Sequence, residues 1–124
     1  MRARAAISAF LLLGLATGAA GGAMISSPSG IDDRLRLEWQ AEASRNGRAV
    51  ISGYLYNDYK RPATKIVLLV ESQDAQGQVI SRAIGFVPDT VPAWSRGYFE
   101  IPLKSTGATY RISVTSFEWY SGSG

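Results

Sequence analysis

The sequence predicts an all-β domain behind a short apolar leader, an antiparallel β-sandwich of about six to seven strands. Three observations carry that prediction. From Leu35 onward, apolar residues recur at every second position, the period of a half-buried strand rather than of a helix. Glycine, proline, asparagine and aspartate separate these runs at spacings of about 8–15 residues, as short connections between strands require. No segment after Asp33 holds the repeat of an amphipathic helix. A small open barrel is the alternative topology for the same pattern.

The leader comes first. Met1-Arg2-Ala3-Arg4 is a basic start, Ile7 to Leu13 is largely apolar, and Gly18 to Ala23 is a run of small residues. These are the three parts of a secretory signal peptide, whose apolar core is about 7–15 residues long. A bilayer span needs about 20. Residues 1–23 are therefore expected to be a signal peptide, cut after Ala20 or after Ala23, with retention as an anchor helix as the alternative. Residues 24–33, rich in Ser, Pro, Gly and Asp, read as a flexible lead-in, 34–120 as the sandwich domain, and 121–124 as a disordered tail.

The strands follow in order. Leu35 to Ala43 alternates cleanly, with Leu35, Leu37, Trp39 and Ala41 on one face and Arg36, Glu38, Gln40 and Glu42 on the other. Asn46-Gly47 is a hairpin signal. Ala49 to Asn57 is the second run, ended by Asp58 to Pro62, because proline lacks an N–H and biases Arg61 towards an extended conformation. Lys65 to Ser72 is apolar on both faces and reads as a central strand. Asp74 to Gln78 is a turn in which Gly77 can take positive φ. Val79 to Val87, Trp94 to Leu103 and Tyr110 to Trp119 complete the set, with a two-proline connection, Pro88 to Ala93, between the first two.

By Gly53-Tyr54-Leu55-Tyr56-Asn57-Asp58 a pattern has formed. It continues through Val67 to Glu71, the hairpin Asp74 to Ile80, Gly97-Tyr98-Phe99-Glu100-Ile101 and Tyr110 to Val114. Together these motifs resemble the FxLYD-type modules, immunoglobulin- or fibronectin-like sandwiches of exported bacterial proteins. One departure is Pro92-Ala93-Trp94, where that family often carries Pro-Gly. The resemblance covers Ala49 to Trp119. It implies a non-catalytic interaction role, with no catalytic residues to carry over.

Composition points away from catalysis. The chain has no histidine and no cysteine, so the usual neutral-pH base, a Ser-His-Asp triad and the preferred zinc, copper and haem ligands are all missing. No cofactor and no metal site is expected, and the protein is read as a non-enzyme. Calcium could use Asn57-Asp58 or Asp74 with Gln76, but turn Asn and Asp are explained by their own backbone hydrogen bonds. Arg2 and Arg4 belong to the leader, which leaves 11 basic against 10 acidic residues of the 13 and 10 in the chain. That balance is no electrostatic footprint for nucleic acid.

The aromatic residues are the candidates for binding. Tyr54 and Tyr56 share one face of the second run, opposite Ile51, Gly53 and Leu55. The third run offers Ile66, Leu68 and Val70 on one face and Val67 and Leu69 on the other; with one face of each run in the core, the reverse face of this sheet holds the tyrosines together with apolar side chains, a patch of the kind that marks an interface. Trp94 sits beside Pro92 in a loop, where an indole suits a protein hot spot or a sugar ring. Tyr59-Lys60-Arg61 is a small basic-aromatic loop. The expected function is an exported module, periplasmic or secreted, that binds a protein partner in the envelope by a sheet face, a loop or a strand edge, with no membrane span after cleavage. The alternative is a carbohydrate-binding module for cell-envelope polysaccharide, with Trp94, Tyr59 and Tyr98 as stacking platforms.

Overall fold

The structure is a computed structural model, and it describes residues 24–43, 46 and 48–121. The expected leader over 1–23, most of the Ser44 to Gly47 turn and the tail beyond Ser121 lie outside the described residues. Seven strands and no helix occur among those described: β1 (Ile25–Pro28), β2 (Leu35–Ala43), β3 (Ala49–Asn57), β4 (Ala63–Gln73), β5 (Val79–Phe86), β6 (Arg96–Pro102) and β7 (Thr109–Trp119). They form two antiparallel sheets, β1-β2-β3-β6 and β5-β4-β7. The expected all-β sandwich is the observed architecture.

Period-two patterning builds the core. The inward positions of the four-stranded sheet supply Leu35, Leu37, Trp39, Ile51, Leu55, Phe99 and Ile101, all buried. The three-stranded sheet answers with Ile66, Leu68, Val70, Ile112 and Val114. Each fully buried side chain of this size contributes roughly 1.5–3 kcal/mol relative to exposure, and a chain without cysteine has no disulfide to add to that.

Three features differ from the sequence reading. The lead-in is not simply flexible, because Ile25–Pro28 pairs in register with Trp39 to Arg36. There Ser29 is fully buried, its hydroxyl accepting from the backbone N–H groups of Ile31 and Asp32. Its carbonyl takes the N–H of Val114, so the entering chain bridges the two sheets along one side. Second, β3 and β4 lie in different sheets. The Asp58 to Pro62 connection carries the chain across, so Tyr54 and Tyr56 do not share a surface with Val67 and Leu69. Third, the two-proline connection is pinned by one bridge, Ala63 with Val91, through bonds of 2.9 and 2.8 Å.

Asn57 holds the end of the sandwich together. Fully buried, its amide Nδ2 donates to the carbonyls of Arg61 at 2.8 Å and of Val91 and Pro92 at 3.2 Å. Its Oδ1 accepts the N–H of Tyr59 at 3.0 Å. One side chain thus satisfies backbone groups from two connections. Asn57→Ala takes away the bonds to the Arg61 carbonyl and the Tyr59 N–H, while Val91 and Pro92 still accept from Ala63 and Ser95, and is expected to cost about 2–4 kcal/mol, read as a lower urea midpoint at unchanged slope. Gly53 is constrained by space instead: a Cβ there would stand 2.6 Å from the Cα of Trp39. Gly53→Ala should therefore also lower the midpoint, whereas Gly77→Ala, in an open turn at φ 84°, should cost only its backbone strain of about 1–2 kcal/mol.

Candidate functional site

Because odd positions of β2, β3 and β6 fill the core, even positions point to the outer face, where all but the buried Ser52 are at least partly exposed. Strand register then sets which of them meet. Arg36, Tyr56 and Arg96 form one row across the sheet, Glu38, Tyr54 and Tyr98 the next, and Gln40, Ser52 and Glu100 a third. Directly opposed residues in such rows have Cβ atoms about 4.5–5.5 Å apart, so their side chains must interact.

They do so by stacking. The Arg36 guanidinium lies 4.3 Å from the Tyr56 ring centre, and that of Arg96 lies 4.0 Å from the Tyr54 ring centre. The Tyr56 hydroxyl donates to Glu38 Oε1 at 2.9 Å and accepts from Arg96 Nη1 at 3.1 Å. That hydrogen bond is the largest of the effects raising the Arg96 pKa above its ordinary value. Tyr98 meets Tyr54 edge to face at 5.6 Å, and Arg36 pairs with Asp58 at 3.2 Å. Each exposed cation–π contact is worth about 0.5–1 kcal/mol and the aromatic pair about 0.5–1.5. Together they hold long side chains in place.

At the start of β6 the chain turns through Trp94, which adopts the left-handed region at φ 59°. Its N–H donates to the carbonyl of Tyr59 at 3.2 Å, and the residue is 69% exposed. Trp94, Ser95 and Arg96 with Tyr56 and Asp58 line a shallow open groove of about 330 Å³. Of the aromatic candidates, Tyr54, Tyr56 and Tyr98 are thus gathered on one face, and Trp94 borders it through the groove that Tyr56 also lines.

Tyr59 is not part of that face. Its ring packs on Trp119 at 4.6 Å and beneath the Arg34 guanidinium at 4.2 Å, with Trp119 in turn edge to face with Phe117. Arg34 is fixed by a two-point pair with Asp32, at 2.9 and 2.8 Å. Tyr59 therefore belongs to a cluster that ties the lead-in to β7. Sequence reasoning missed Arg36 and Arg96, whose meeting with the tyrosines depends on strand register. The calcium alternatives are occupied as turns: Asp74 Oδ1 accepts the N–H groups of Gln76 and Gln78, each at 2.9 Å.

The other sheet has a second exposed surface. Ile84 and Phe86 of β5 stand outward beside Leu69 and Val67 of β4, and Arg82 pairs with Glu71 at 3.2 Å. This row is apolar but unstacked.

No family model matches this chain, and no curated protein or solved structure matches it either.

The Asp32 carboxyl lies below its ordinary value of 3.8, first because Arg34 hydrogen-bonds it. A carboxyl depressed by folding adds stability above its unfolded pKa and loses it as pH falls through the folded one. An NMR titration should place the Asp32 midpoint below that of an unfolded peptide, and Arg34→Ala should return it upward. An unmoved midpoint in the variant would assign the depression elsewhere.

Proposed function

We propose that this domain is an exported, non-catalytic interaction module that binds a protein partner through the outer face of its four-stranded sheet. One observation carries the reading: Tyr54, Tyr56, Tyr98, Arg36 and Arg96 converge on one face and are stacked on one another. Tyrosine, tryptophan and arginine are the residue types enriched at protein hot spots, because they combine large contact area with a polar end. Stacking lowers the entropy lost on binding, since fewer rotamers remain to be frozen. Trp94 adds an exposed indole at the border.

The leader pattern supports export to the periplasm or medium, and the lack of histidine and cysteine supports a non-catalytic role. A two-sheet sandwich is the architecture that the resemblance to FxLYD-type modules implies, and membership in that group is part of this proposal. Engagement of Tyr59 by Arg34 and Trp119 removes one of the three platforms that polysaccharide binding would use. A protein partner is therefore favoured over a glycan.

Alanine at Tyr54, Tyr56 and Trp94 together should abolish capture of a partner from a host envelope extract while leaving far-UV circular dichroism unchanged. Capture that persists at wild-type level removes this face from the proposal. Reproducible quenching of tryptophan fluorescence by envelope polysaccharide, lost in the same variant, would move the function to carbohydrate binding.

A further inference from the structure

Strand β6 is an edge. It pairs with β3 on one side, and among the described residues no strand of its sheet lies on the other. The bonds at its two ends settle which backbone groups are left over. Asn57 N–H donates to Ser95 O at 2.8 Å and Leu103 N–H to Ala49 O at 2.9 Å, both in the β3–β6 register. Hydrogen-bonded pairs alternate along an antiparallel ladder, so the odd residues of β6 bond to β3. The N–H and C=O groups of Arg96, Tyr98 and Glu100 consequently point to the open side. An edge of this kind is a template for another strand unless something guards it.

The side chains on that edge have an unusual order. Arg96, Tyr98 and Glu100 stand on the outer face, and neither Arg96 nor Glu100 has an oppositely charged group within ion-pair distance among the described residues. Written along the strand, the exposed row is plus, aromatic, minus. Running the same strand antiparallel to itself turns that row into its own complement. With a twofold axis at Tyr98, Arg96 of one copy faces Glu100 of the other, Tyr98 faces Tyr98, and Glu100 faces Arg96. All three pairs carry edge-directed backbone groups, and all three lie on the same face of the joined sheet. Moving the axis to Gly97 would set Arg96 against Tyr98, and moving it to Phe99 would set Tyr98 against Glu100, so both registers lose the charge pairs.

We propose that β6 is a homodimerisation edge: two copies of this chain join β6 to β6 antiparallel about Tyr98, forming one continuous eight-stranded sheet from two four-stranded ones. The contact is isologous, as a twofold dimer requires. It joins the two Tyr54–Tyr98 faces across the axis into a single aromatic surface. Strand β5, the other edge on this side, lacks such a register, because its one charged residue, Arg82, is already paired with Glu71 of its neighbour β4. The side bearing β7 is bridged by Ser29.

The test is sedimentation of the full chain with charge-swapped variants. The wild type should form a dimer. Arg96→Glu sets Glu against Glu and Glu100→Arg sets Arg against Arg, so each alone should weaken self-association about tenfold or more. Among the described residues no hydrogen bond or ion pair involves the Glu100 side chain, so E100R keeps the test valid should R96E fold poorly. Mixing the two single variants should restore a pair, and R96E/E100R in one chain should restore the homodimer, with thermal unfolding checked throughout. Association through any other surface would be indifferent to these swaps. A chain that stays monomeric up to about 1 mM, or a dimer that the swaps leave unchanged, overturns the proposal. Partner capture by the tyrosine face is read separately and can succeed or fail on its own.

Discussion

The whole molecule depends on one seam, the layer where Leu37, Ile51, Leu55, Phe99 and Ile101 of one sheet press against Ile66, Leu68, Val70 and Val114 of the other. Burial of this layer must offset the conformational entropy of the ordered backbone, about 1–2 kcal/mol per residue, without any disulfide. The seam also decides what lies outside. Once Leu55 and Phe99 point inward, Tyr54, Tyr56 and Tyr98 have no choice of direction. A slip by one residue in β3 would bury both its tyrosines and expose Ile51 and Leu55. The core that stabilises the domain is therefore also what orients its tyrosine face.

Much of this was legible in the residues. The run Leu35 to Ala43 shows its two faces directly, and the structure keeps both strand limits. The Asp74 to Gln78 turn was readable for a chemical reason. Asp74 caps the N–H groups ahead of it, and Gly77 takes the left-handed conformation the reversal needs. What stayed hidden has a common cause. Sheet membership is a non-local choice, and nothing in Asp58 to Pro62 says whether the next strand stays beside β3 or crosses over. The meeting of Arg36 with Tyr56 rests on the β2–β3 register, and that of Arg96 with Tyr54 on β6 returning to the same sheet. Strand β1 escaped notice because Ile25–Pro28 has no alternation: its pairing with β2 is backbone-driven and its residues are mostly exposed.

The structure also separates two kinds of exposed surface that composition alone would merge. Ile84 and Phe86 are apolar, accessible and held mainly by their strand, with 57% and 61% exposure. Tyr54 and Tyr56 are half-buried, and each carries a guanidinium stacked on its ring. Area alone would rank the first row higher as a sticky patch. Affinity, however, depends on what is left after ordering costs, and a side chain already locked by its neighbours has less to lose. The stacked face is the better prepared of the two.

Charge placement follows the same logic at the margins. Arg82 sits between Ile80 and Ile84 on the outer row of β5 and is neutralised by Glu71, so this edge presents a desolvation cost to any strand that would cover it. On β6 neither Arg96 nor Glu100 has an ion-pair partner among the described residues, and the two are placed symmetrically about Tyr98. Identical guards on both edges would be expected if solubility were the sole constraint. The difference between them is the physical reason for assigning the two edges different roles: one charge satisfied at home closes β5, while two charges of opposite sign, one turn of the pleat either side of an aromatic ring, leave β6 complementary only to a strand with the reversed order.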